Sequence, residues 1–433
     1  MKNAVQTTRS NIWRPFTTVK EARDPLPVKR GYGTTLELED GRKVLDCISS
    51  WWVTLHGHGN HTIAEAIYEQ AKELEQVIFA DFTHAPARRL SEKLLSMLPS
   101  NLGKVFFSDN GSTSVEVALK TAYQYWVNKG VKSKKSFIAF EGAYHGDTMG
   151  AMSVSAPSDF SRVFEELLFS VTHIPYPATF CGDEEVEKKE LKVLSHFEEL
   201  LEKKADQFAA IILEPLVQGA GGMRMCRPEF LRELQKVAHR YHLLVIYDEV
   251  MTGFGRTGDI FACRKAQTHP DLICLSKGIT GGTMPLAVTV CSDEIYKAFA
   301  SDDPMKTFWH GHSYTANPVG CAAALASFNL LQENHFTWSS MEEKHLAFLE
   351  LLAKHERVAR PRVCGTISAM DIVTEEADGY MNQIGKIMQQ RFMDKGIYLR
   401  PLGNTLYLMP PYCIKDEELE YVYGVMGEIL SSL

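Results

Sequence analysis

Several features that mark membrane, secreted or nucleic-acid-binding proteins are missing from this sequence. No uninterrupted apolar run approaches the roughly 18 residues that a membrane-spanning helix needs. The opening stretch, MKNAVQTTRSNIWRPF, has no apolar core of the kind that a secretory signal peptide requires. The formal net charge is -8 with both signs interspersed, so the composition predicts no basic surface for nucleic acid. We therefore expect a cytoplasmic protein that binds neither membranes nor nucleic acid.

The cysteines also lack a pattern. Nine are scattered along the chain, and no two of them form a C-x-x-C pair. An odd number without close spacing argues against a disulfide framework or a zinc site. His56, His58 and His61 suggest a metal only weakly, because no second cluster of ligands accompanies them. We expect reduced thiols and no metal.

What is present is the composition and periodicity of a globular enzyme. The 433 residues are 45% hydrophobic and 23% charged, which is ordinary for a folded protein with a large core. Segments with helical periodicity alternate with short apolar runs. These runs are 104–109, 136–140, 209–215, 243–250 and 271–276. Alternation of this kind predicts an α/β fold with a mainly parallel central sheet.

The two ends of the chain have a different pattern. Residues 1–54 contain an alternating stretch with a hairpin signal at Asp40-Gly41, and a mixed pattern returns after residue 330. We predict a large central domain over 55–330. A smaller domain would combine 1–54 with 331–433.

Polar residues stand where several predicted strands end, which is where ligands bind in open α/β sheets. The run DLICLS is followed by Lys277, and LLVIY is followed by Asp248 and Glu249. The run KVFFSD leads through Gly111 and Ser112 into a helical pattern. The segment FEGAYHGDT places Tyr144 just beyond a fourth run.

Each of these features also has a purely structural explanation. Asp248 and Glu249 together fit a solvated helix start. The hydroxyls at the start of the predicted helix fit simple capping, because Thr113-x-x-Glu116 matches a capping box. The case for a site therefore depends on the features acting together.

Taken together, the four features match the needs of pyridoxal phosphate. Its aldehyde requires a partly desolvated lysine, for which Lys277 is the candidate. Its pyridine nitrogen requires a buried carboxylate, and Asp248 fits that role. Its phosphate suits the helix N-terminus at Gly111 and Ser112, and its ring suits an aromatic face such as Tyr144.

A competing motif is the G-x-G-x-x-G pattern of nicotinamide-dependent dehydrogenases, which Gly253, Gly255 and Gly258 satisfy. That fingerprint should follow a strand directly and open a helix. Here DEVMT intervenes, and the continuation DIFACRKAQTHPD has no long helical period. We therefore predict a glycine-rich loop around the site, with a dehydrogenase as the alternative from another class.

The segments EPLVQGAGG, GAYHGDT, YDEVMTGFGRTG and DLICLSKGITGG resemble those of class III aminotransferases with the type I pyridoxal-phosphate fold, and the resemblance covers essentially the whole chain. Within that class, IWRPFT, SSWW, HGHGNH and YLRPLGNTLYLMPPY resemble the branch that aminates 8-amino-7-oxononanoate to 7,8-diaminononanoate in biotin biosynthesis. The alternative is a class III enzyme acting on ornithine, 4-aminobutyrate or β-alanine. A non-catalytic binding protein is disfavoured, since Lys277 and Asp248 are both present.

The resemblance implies a role for each cofactor-binding residue. Lys277 would form the Schiff base and shuttle protons, and Asp248 would pair with the pyridine nitrogen. Gly111 and Ser112 would hold the phosphate, while Tyr144 would flank cofactor and substrate. Such enzymes are homodimers with shared active sites.

The segment HGHSYTAN resembles the loop that one subunit lends to the other. It implies that Gly311 lies near the substrate of the partner subunit and that His312 and Ser313 lie at its phosphate. Both subunits would then be needed to complete each site.

The substrate residues are implied in the same way. Trp51 would line the channel for the apolar tail, and Arg400 would bind the substrate carboxylate as a bidentate partner, with Tyr407 nearby. Without the resemblance, Trp51 fits a core residue and Arg400 a surface arginine. Phe16 stands where enzymes that use S-adenosylmethionine commonly have tyrosine, and GHSYT differs from their GPTF. Both differences resemble the branch that uses lysine, so the amino donor is predicted to be S-adenosylmethionine or lysine.

Overall fold

The computed structural model describes residues 11–21 and 24–433. Residues 1–10, on which part of the signal-peptide interpretation rests, lie outside this description, as do residues 22–23. Within the described ranges no helix combines the length and apolarity that a membrane crossing requires.

The strands are numbered β1 to β16 in chain order. They are Val28–Tyr32, Thr35–Leu38, Lys43–Asp46, Leu102–Ser108, Ser136–Phe140, Val171–Ile174, Phe208–Leu213, Val217–Gln218, Arg224–Met225, Leu244–Asp248, Leu272–Leu275, Ala287–Ser292, Val358–Cys364, Ile367–Ile372, Ile397–Tyr398 and Thr405–Leu408.

The helices are numbered α1 to α14 in the same way. They are Ser49–Trp52, His61–Glu73, Ala85–Met97, Gly111–Asn128, Met149–Val154, Val186–Lys204, Pro228–Arg240, Ala262–Ala266, Asp293–Lys297, Pro318–Glu333, His335–Ser339, Met341–Leu352, Ile384–Asp394 and Asp416–Ser431. Short 3-10 helices cover Val19–Glu21, Arg162–Leu167, Ala205–Gln207, Lys277–Thr280 and Pro304–Lys306.

A seven-stranded sheet forms the centre of the molecule, in the order β4-β12-β11-β10-β7-β5-β6. Only β12 runs antiparallel to its neighbours, so four of the six strand pairs are parallel. The five predicted apolar runs correspond to β4, β5, β7, β10 and β11. Every residue of β7, β10 and β11 is buried, as expected of strands covered on both faces. The predicted α/β fold is therefore confirmed.

The predicted hairpin also forms, since β2 and β3 pair antiparallel with Leu36 opposite Val44. Gly41 in the connection has a φ of 87°, a conformation that favours glycine. Strand β15 then adds to β3 in parallel, so the N-terminal and C-terminal parts share a four-stranded sheet. Strands β13, β14 and β16 form another sheet. The domain boundaries at 54 and 330 stay a prediction.

The capping box at the start of α4 lies one turn earlier than the sequence suggested. Asn110 Oδ1 accepts from the Thr113 N–H at 3.0 Å, and Thr113 Oγ1 accepts from the Asn110 N–H at 3.2 Å. The predicted Thr113–Glu116 box is therefore wrong. Glu116 instead accepts from the backbone N–H of Gly150 at 2.7 Å, which ties α4 to the start of α5.

Candidate active site

A cavity of about 1190 Å³ opens at the carboxyl ends of β10 and β11. It brings together most of the residues singled out from the sequence. Those lining it are Phe16, Trp51, Gly111, Ser112, Tyr144, Asp248, Lys277, Arg400 and Tyr407. Gly311, His312 and Ser313 are not among the lining residues of their own chain.

Lys277 follows β11 by two residues and begins a 3-10 helix. Its φ of 45° lies in the left-handed region, which residues other than glycine rarely adopt. Its Nζ lies 4.7 Å from the centroid of the Trp52 ring. Burial lowers the pKa of the amine to about 8, although Asp248 and Glu214 act in the opposite direction. A lysine of this kind supplies neutral amine near physiological pH, as a nucleophile requires.

The two tryptophans are presented by the distorted turn α1. Ser50 and Trp52 have φ values of 59° and 66°. Asp46 holds this turn, because its fully buried carboxylate accepts from the Ser50 N–H at 2.7 Å and pairs with His58 Nε2 at 2.9 Å. Trp52 is 5% exposed and contacts the lysine, whereas Trp51 is 43% exposed at the cavity wall. The resemblance implied a role for Trp51 alone. Which of the two adjacent indoles contacts the lysine depends on the turn geometry, and the sequence does not show that geometry.

Asp248 is the last residue of β10 and is 5% exposed. Its Oδ2 lies 2.7 Å from Nδ1 of His145, and its Oδ1 accepts from the Val250 N–H at 3.1 Å. Glu249 is fully buried and accepts from backbone N–H groups at the start of α8. The alternative of a solvated helix start at these two carboxyls is therefore excluded.

A second buried carboxyl, Glu214, lines the same cavity and was not identified from the sequence as a site residue. It accepts from the Tyr144 N–H at 3.0 Å and from the Gly219 N–H at 2.9 Å. Burial raises its pKa to about 7. Its place directly after β7 was the available signal, because the strand-end argument applied to Lys277 applies equally here.

The N-terminus of α4 faces the cavity at Gly111 and Ser112. A Cβ at position 111 would lie 2.7 Å from Cγ1 of Val250, so glycine is required for this close approach. The 18-residue helix directs its first backbone N–H groups and its positive dipole end toward the cavity. This is an arrangement that binds phosphate.

The opposite part of the cavity combines a cation with aromatic rings. Arg400 places its guanidinium 5.0 Å from the Trp51 centroid, and among the described residues no carboxylate pairs with it. Tyr407 is buried and accepts from the Trp52 indole N–H at 2.9 Å. Phe16 packs 5.6 Å from Trp51, measured between ring centroids. An unpaired guanidinium beside apolar rings suits a carboxylate on an aliphatic chain.

Two further rings extend this aromatic wall. Phe160 lies 6.1 Å from Phe16 and 4.8 Å from Tyr380, between ring centroids, and all three line the cavity. The sequence contained no signal for Phe160 or Tyr380, because they lie in loops far apart along the chain.

The glycine-rich segment 253–258 forms turns, with φ values of 96° at Gly255 and 88° at Gly258. The next helix, α8, begins only at residue 262 and is five residues long. This agrees with the predicted loop and not with a dinucleotide fingerprint. In the part of the chain that the structure describes, no group of histidine, cysteine or acidic side chains is arranged to hold a metal.

A buried carboxylate, a lysine of lowered pKa and a helix N-terminus around one cavity are the features expected of an enzyme that uses pyridoxal phosphate. The profile of the family "Aminotransferase class-III" matches residues 17–430. The chain therefore belongs to the class III aminotransferases.

Two relatives and two solved structures indicate which aminotransferases this chain is similar to. The chain is 54% identical to the adenosylmethionine-8-amino-7-oxononanoate aminotransferase of Synechococcus elongatus, over 98% of this chain and 99% of the relative. Identity with the protein of the same name from Geobacter sulfurreducens is 38%, over 96% and 94% of the two chains. The crystal structure of that aminotransferase from Methanocaldococcus jannaschii has a TM-score of 0.89 at 34% identity, covering 98% and 97%. An amine transaminase from an uncultivated Pseudomonas species, in its PLP-bound form, has a TM-score of 0.91 at 27% identity, covering 99% and 100%.

Proposed function

We propose that this aminotransferase uses pyridoxal phosphate to convert 8-amino-7-oxononanoate to 7,8-diaminononanoate in biotin biosynthesis. The observation that carries the proposal is one cavity lined by Lys277, Asp248 and Arg400. The lysine and carboxylate serve the cofactor, and the unpaired guanidinium suits the carboxylate of a nonanoate. Full-length relatives at 54% and 38% identity are named for this reaction.

The residues present fit the cofactor. Asp248 offers a buried carboxylate to the pyridine nitrogen, and Lys277 offers an amine of lowered pKa to the aldehyde. The bare backbone at Gly111, with Ser112, would hold the phosphate, and the Tyr144 ring lines the same space. Together these groups match the ring nitrogen, the aldehyde, the phosphate and the ring face of the cofactor.

In the proposed mechanism, Lys277 and Asp248 have different tasks. When bound, pyridoxal phosphate supplies an aldehyde that condenses with amines and a ring that withdraws electrons from the substrate. Lys277 Nζ would take the proton from the Cα of the amino donor and pass it on to the cofactor. In the second half-reaction it would deliver a proton to the acceptor carbon that receives the amino group, and an amine with a pKa of about 8 can do both near neutral pH. Asp248 would pair with the pyridine nitrogen at the base of the cavity and thereby favour the protonated form of that nitrogen. The same residues serve both half-reactions, so ping-pong kinetics are expected.

The substrate would lie along the aromatic wall. Trp51 and Phe16 present apolar surface to the aliphatic chain, and Arg400 receives the carboxylate. Tyr407 fixes the Trp52 indole and so supports the lysine side of the cavity. The chain length of the acceptor would be limited by the distance between Lys277 and Arg400.

We propose a cytoplasmic homodimer in which Gly311, His312 and Ser313 enter the partner's site. Gln76 donates to the Ser313 carbonyl at 2.8 Å, which joins two exposed apolar segments on one surface. The exposed side chains there are Ile78 at 62%, Phe82 at 59%, Trp309 at 74% and Tyr314 at 65%. Exposed apolar side chains on neighbouring segments are typical of an interface. All nine cysteines are free, as in a reducing compartment.

A half-reaction assay tests the function and identifies the donor. The enzyme loaded with pyridoxal phosphate is mixed with S-adenosylmethionine or with lysine, and loss of the visible absorbance band is followed. We expect one of these donors to convert the enzyme, and the converted enzyme to aminate 8-amino-7-oxononanoate faster than the keto partners of ornithine, 4-aminobutyrate or β-alanine. Lys277→Ala should abolish turnover while the protein stays folded. Normal turnover in that variant, or a preference for another acceptor, would contradict the proposal.

A further inference from the structure

Phe160 and Tyr380 line the cavity, and the mechanism above gives neither of them a task. They are 48% and 40% exposed, so these large rings face the cavity instead of packing into the core. Their centroids lie 4.8 Å apart at an interplanar angle of 87°, which is an edge-to-face contact. The contact joins the segment after α5 to the segment between β14 and α13. Exposed rings around a cavity are typical of a ligand-binding wall.

Phe160 lies at the tip of a turn that two serines close. The Ser158 N–H donates to Ser161 Oγ at 3.1 Å, and the Ser161 N–H donates to the Ser158 carbonyl at 3.2 Å. Just before this turn, the Ala156 N–H donates to the Ala143 carbonyl at 2.8 Å. The turn is therefore anchored to the loop that follows β5, and the ring is held at the cavity.

The segment that carries Tyr380 is fixed to the turn that follows Arg400. Asn404 is buried, and its Oδ1 accepts from the Gly379 N–H at 2.9 Å. Gly403 has a φ of 61°, and a Cβ at this position would collide with the Gly379 carbonyl oxygen. The two backbones therefore cross at a distance that only glycine permits. The position of Tyr380 is thereby coupled to that of Arg400.

The rings form a continuous series that begins at a cation. The Arg400 guanidinium lies over Trp51, which packs against Phe16. Phe16 in turn contacts Phe160, whose ring meets Tyr380. A guanidinium at one end of an apolar wall suits a carboxylate followed by a hydrocarbon chain, whereas it repels a second cation.

We propose that Phe160 and Tyr380 are specificity-determining residues, whose paired rings cover the hydrocarbon chain of an acceptor that Arg400 holds by its carboxylate. The proposal rests on the function proposed above and deepens it, because it defines the substrate class as keto acids with a long aliphatic chain. Short acceptors, such as the keto partner of 4-aminobutyrate, would leave these rings in contact with water. Each methylene group that the wall covers should tighten binding by up to about fourfold.

Straight-chain carboxylates test the wall without any turnover. Butyrate, hexanoate and nonanoate are titrated into the enzyme loaded with pyridoxal phosphate, and calorimetry measures each Kd. In the wild type we expect the affinity to rise about two- to fourfold per added methylene group. Phe160→Ala and Tyr380→Ala should each bind nonanoate roughly tenfold more weakly, as expected when about two methylene groups lose their apolar cover. Their Kd for butyrate should stay within about twofold of the wild-type value, because its chain is too short to reach the rings.

Two control variants separate the rings at the cavity from rings in general. Tyr380→Phe restores the ring without its hydroxyl and should recover the binding of nonanoate. Phe169→Ala removes a ring that is 45% exposed and lies outside the cavity lining, and it should leave all three affinities unchanged. Thermal unfolding verifies that every variant folds. If both alanine variants at the cavity kept the wild-type dependence on chain length, the proposal would be overturned.

Turnover with two acceptors shows whether the rings select the substrate. In Phe160→Ala and Tyr380→Ala, KM for 8-amino-7-oxononanoate should rise about tenfold and kcat should stay within about twofold, because the rings contact the chain equally before and during the reaction. KM for the keto partner of 4-aminobutyrate should change less than about twofold. The half-reaction with the amino donor should also keep its rate. A loss confined to the donor half-reaction would overturn the proposal.

Arg400→Ala distinguishes a failure of this proposal from a failure of the proposed function. This variant should weaken the binding of all three carboxylates by a similar factor, since it removes the contact that they share. Unchanged binding of butyrate, or a wild-type enzyme that does not aminate 8-amino-7-oxononanoate, would contradict the proposed function and this inference with it. If Arg400→Ala behaves as expected and the alanine variants at positions 160 and 380 bind nonanoate like the wild type, only the inference about the rings fails.

Discussion

Lys277 combines a strained backbone with a desolvated amine, and both follow from its place in the chain. A left-handed φ of 45° directs the side chain back over the Trp52 ring instead of along the strand axis. The apolar run before it and Gly278 after it are buried, and burial is what lowers the pKa of the amine. Strain of this kind persists only where the surrounding structure imposes it, and it occurs mainly at functional sites.

The lowered pKa of Lys277 predicts how cofactor loading depends on pH. Only the neutral amine attacks an aldehyde, and a pKa of about 8 leaves most of it protonated at pH 6.5 and neutral at pH 9. The rate at which cofactor-free enzyme develops the visible band should therefore rise roughly 30-fold between these values and then level off. Stopped-flow absorbance measures this rate. A rate that keeps rising through pH 10 would show that the amine behaves like a solvated lysine.

Helix α4 links the core to the proposed phosphate site. Its buried face includes Val115, Ala118 and Ala122, which pack with Leu272 and Cys274 of β11. The helix axis is therefore held against the sheet next to the strand that leads to Lys277. Because the helix is fixed in this way, its first residue cannot move aside to accommodate a larger side chain.

A methyl group at position 111 should demonstrate this constraint. In Gly111→Ala the new Cβ would lie 2.7 Å from Val250 Cγ1, well inside van der Waals contact. We expect a loss of about 1–3 kcal/mol in the free energy of unfolding and weaker binding of pyridoxal phosphate. The matched double variant Gly111→Ala with Val250→Ala removes the clash and should recover most of the stability. Thermal denaturation measures the stability, and a cofactor titration measures the binding. If the double variant did not recover stability, the clash with Val250 would not be the cause of the loss.

The sheet of β13, β14 and β16 contains a buried ion pair whose guanidinium also reaches the cavity wall. Arg362 binds both carboxylate oxygens of Asp371, at 2.9 and 3.1 Å. The same guanidinium donates to the Gly222 carbonyl at 2.7 Å and to the Met223 carbonyl at 2.8 Å. The neighbouring Gly221 lines the cavity, so this pair fixes the C-terminal sheet relative to the site.

Removing the charge of Asp371 should destabilise the whole molecule. Asp371→Asn leaves a buried guanidinium without its counter-ion, and we expect a loss of roughly 3 kcal/mol in the free energy of unfolding near pH 7. Glu69→Gln, which breaks a surface pair between side chains more than half exposed, is the control and should change stability little.

The difference in stability between wild type and Asp371→Asn should depend on pH in a definite direction. Burial by itself raises the pKa of Asp371, but Arg362 and Arg360 hold it below the ordinary value of 3.8. The stabilisation is therefore present above that pH and is lost as the pH falls below it. Denaturant unfolding of wild type and Asp371→Asn should give curves that converge in acid. A difference that persists unchanged at pH 3 would contradict the role of the ion pair.

Much of the architecture follows from local patterns in the chain. Continuous apolar runs bounded by polar residues specify the central parallel strands, because such runs are stable only when buried on both faces. The strand-end rule then locates Lys277 and Asp248, since parallel strands bring their carboxyl ends to one edge of the sheet. Gly111 was identified for a similar reason, because the chain turns there from a strand into a helix.

The remaining features depend on contacts between distant segments. The choice of Trp52 as the ring beneath the lysine depends on a turn held by Asp46, and the wall of Phe16, Phe160 and Tyr380 joins loops separated by hundreds of residues. The His145–Asp248 hydrogen bond spans two strands whose order no local pattern specifies. Periodicity records which residues are buried, but only the packed sheet order determines which buried side chains meet. The residues that follow the parallel strands were therefore readable from the chain, whereas the side chains that surround them and their electrostatic geometry were determined by the fold.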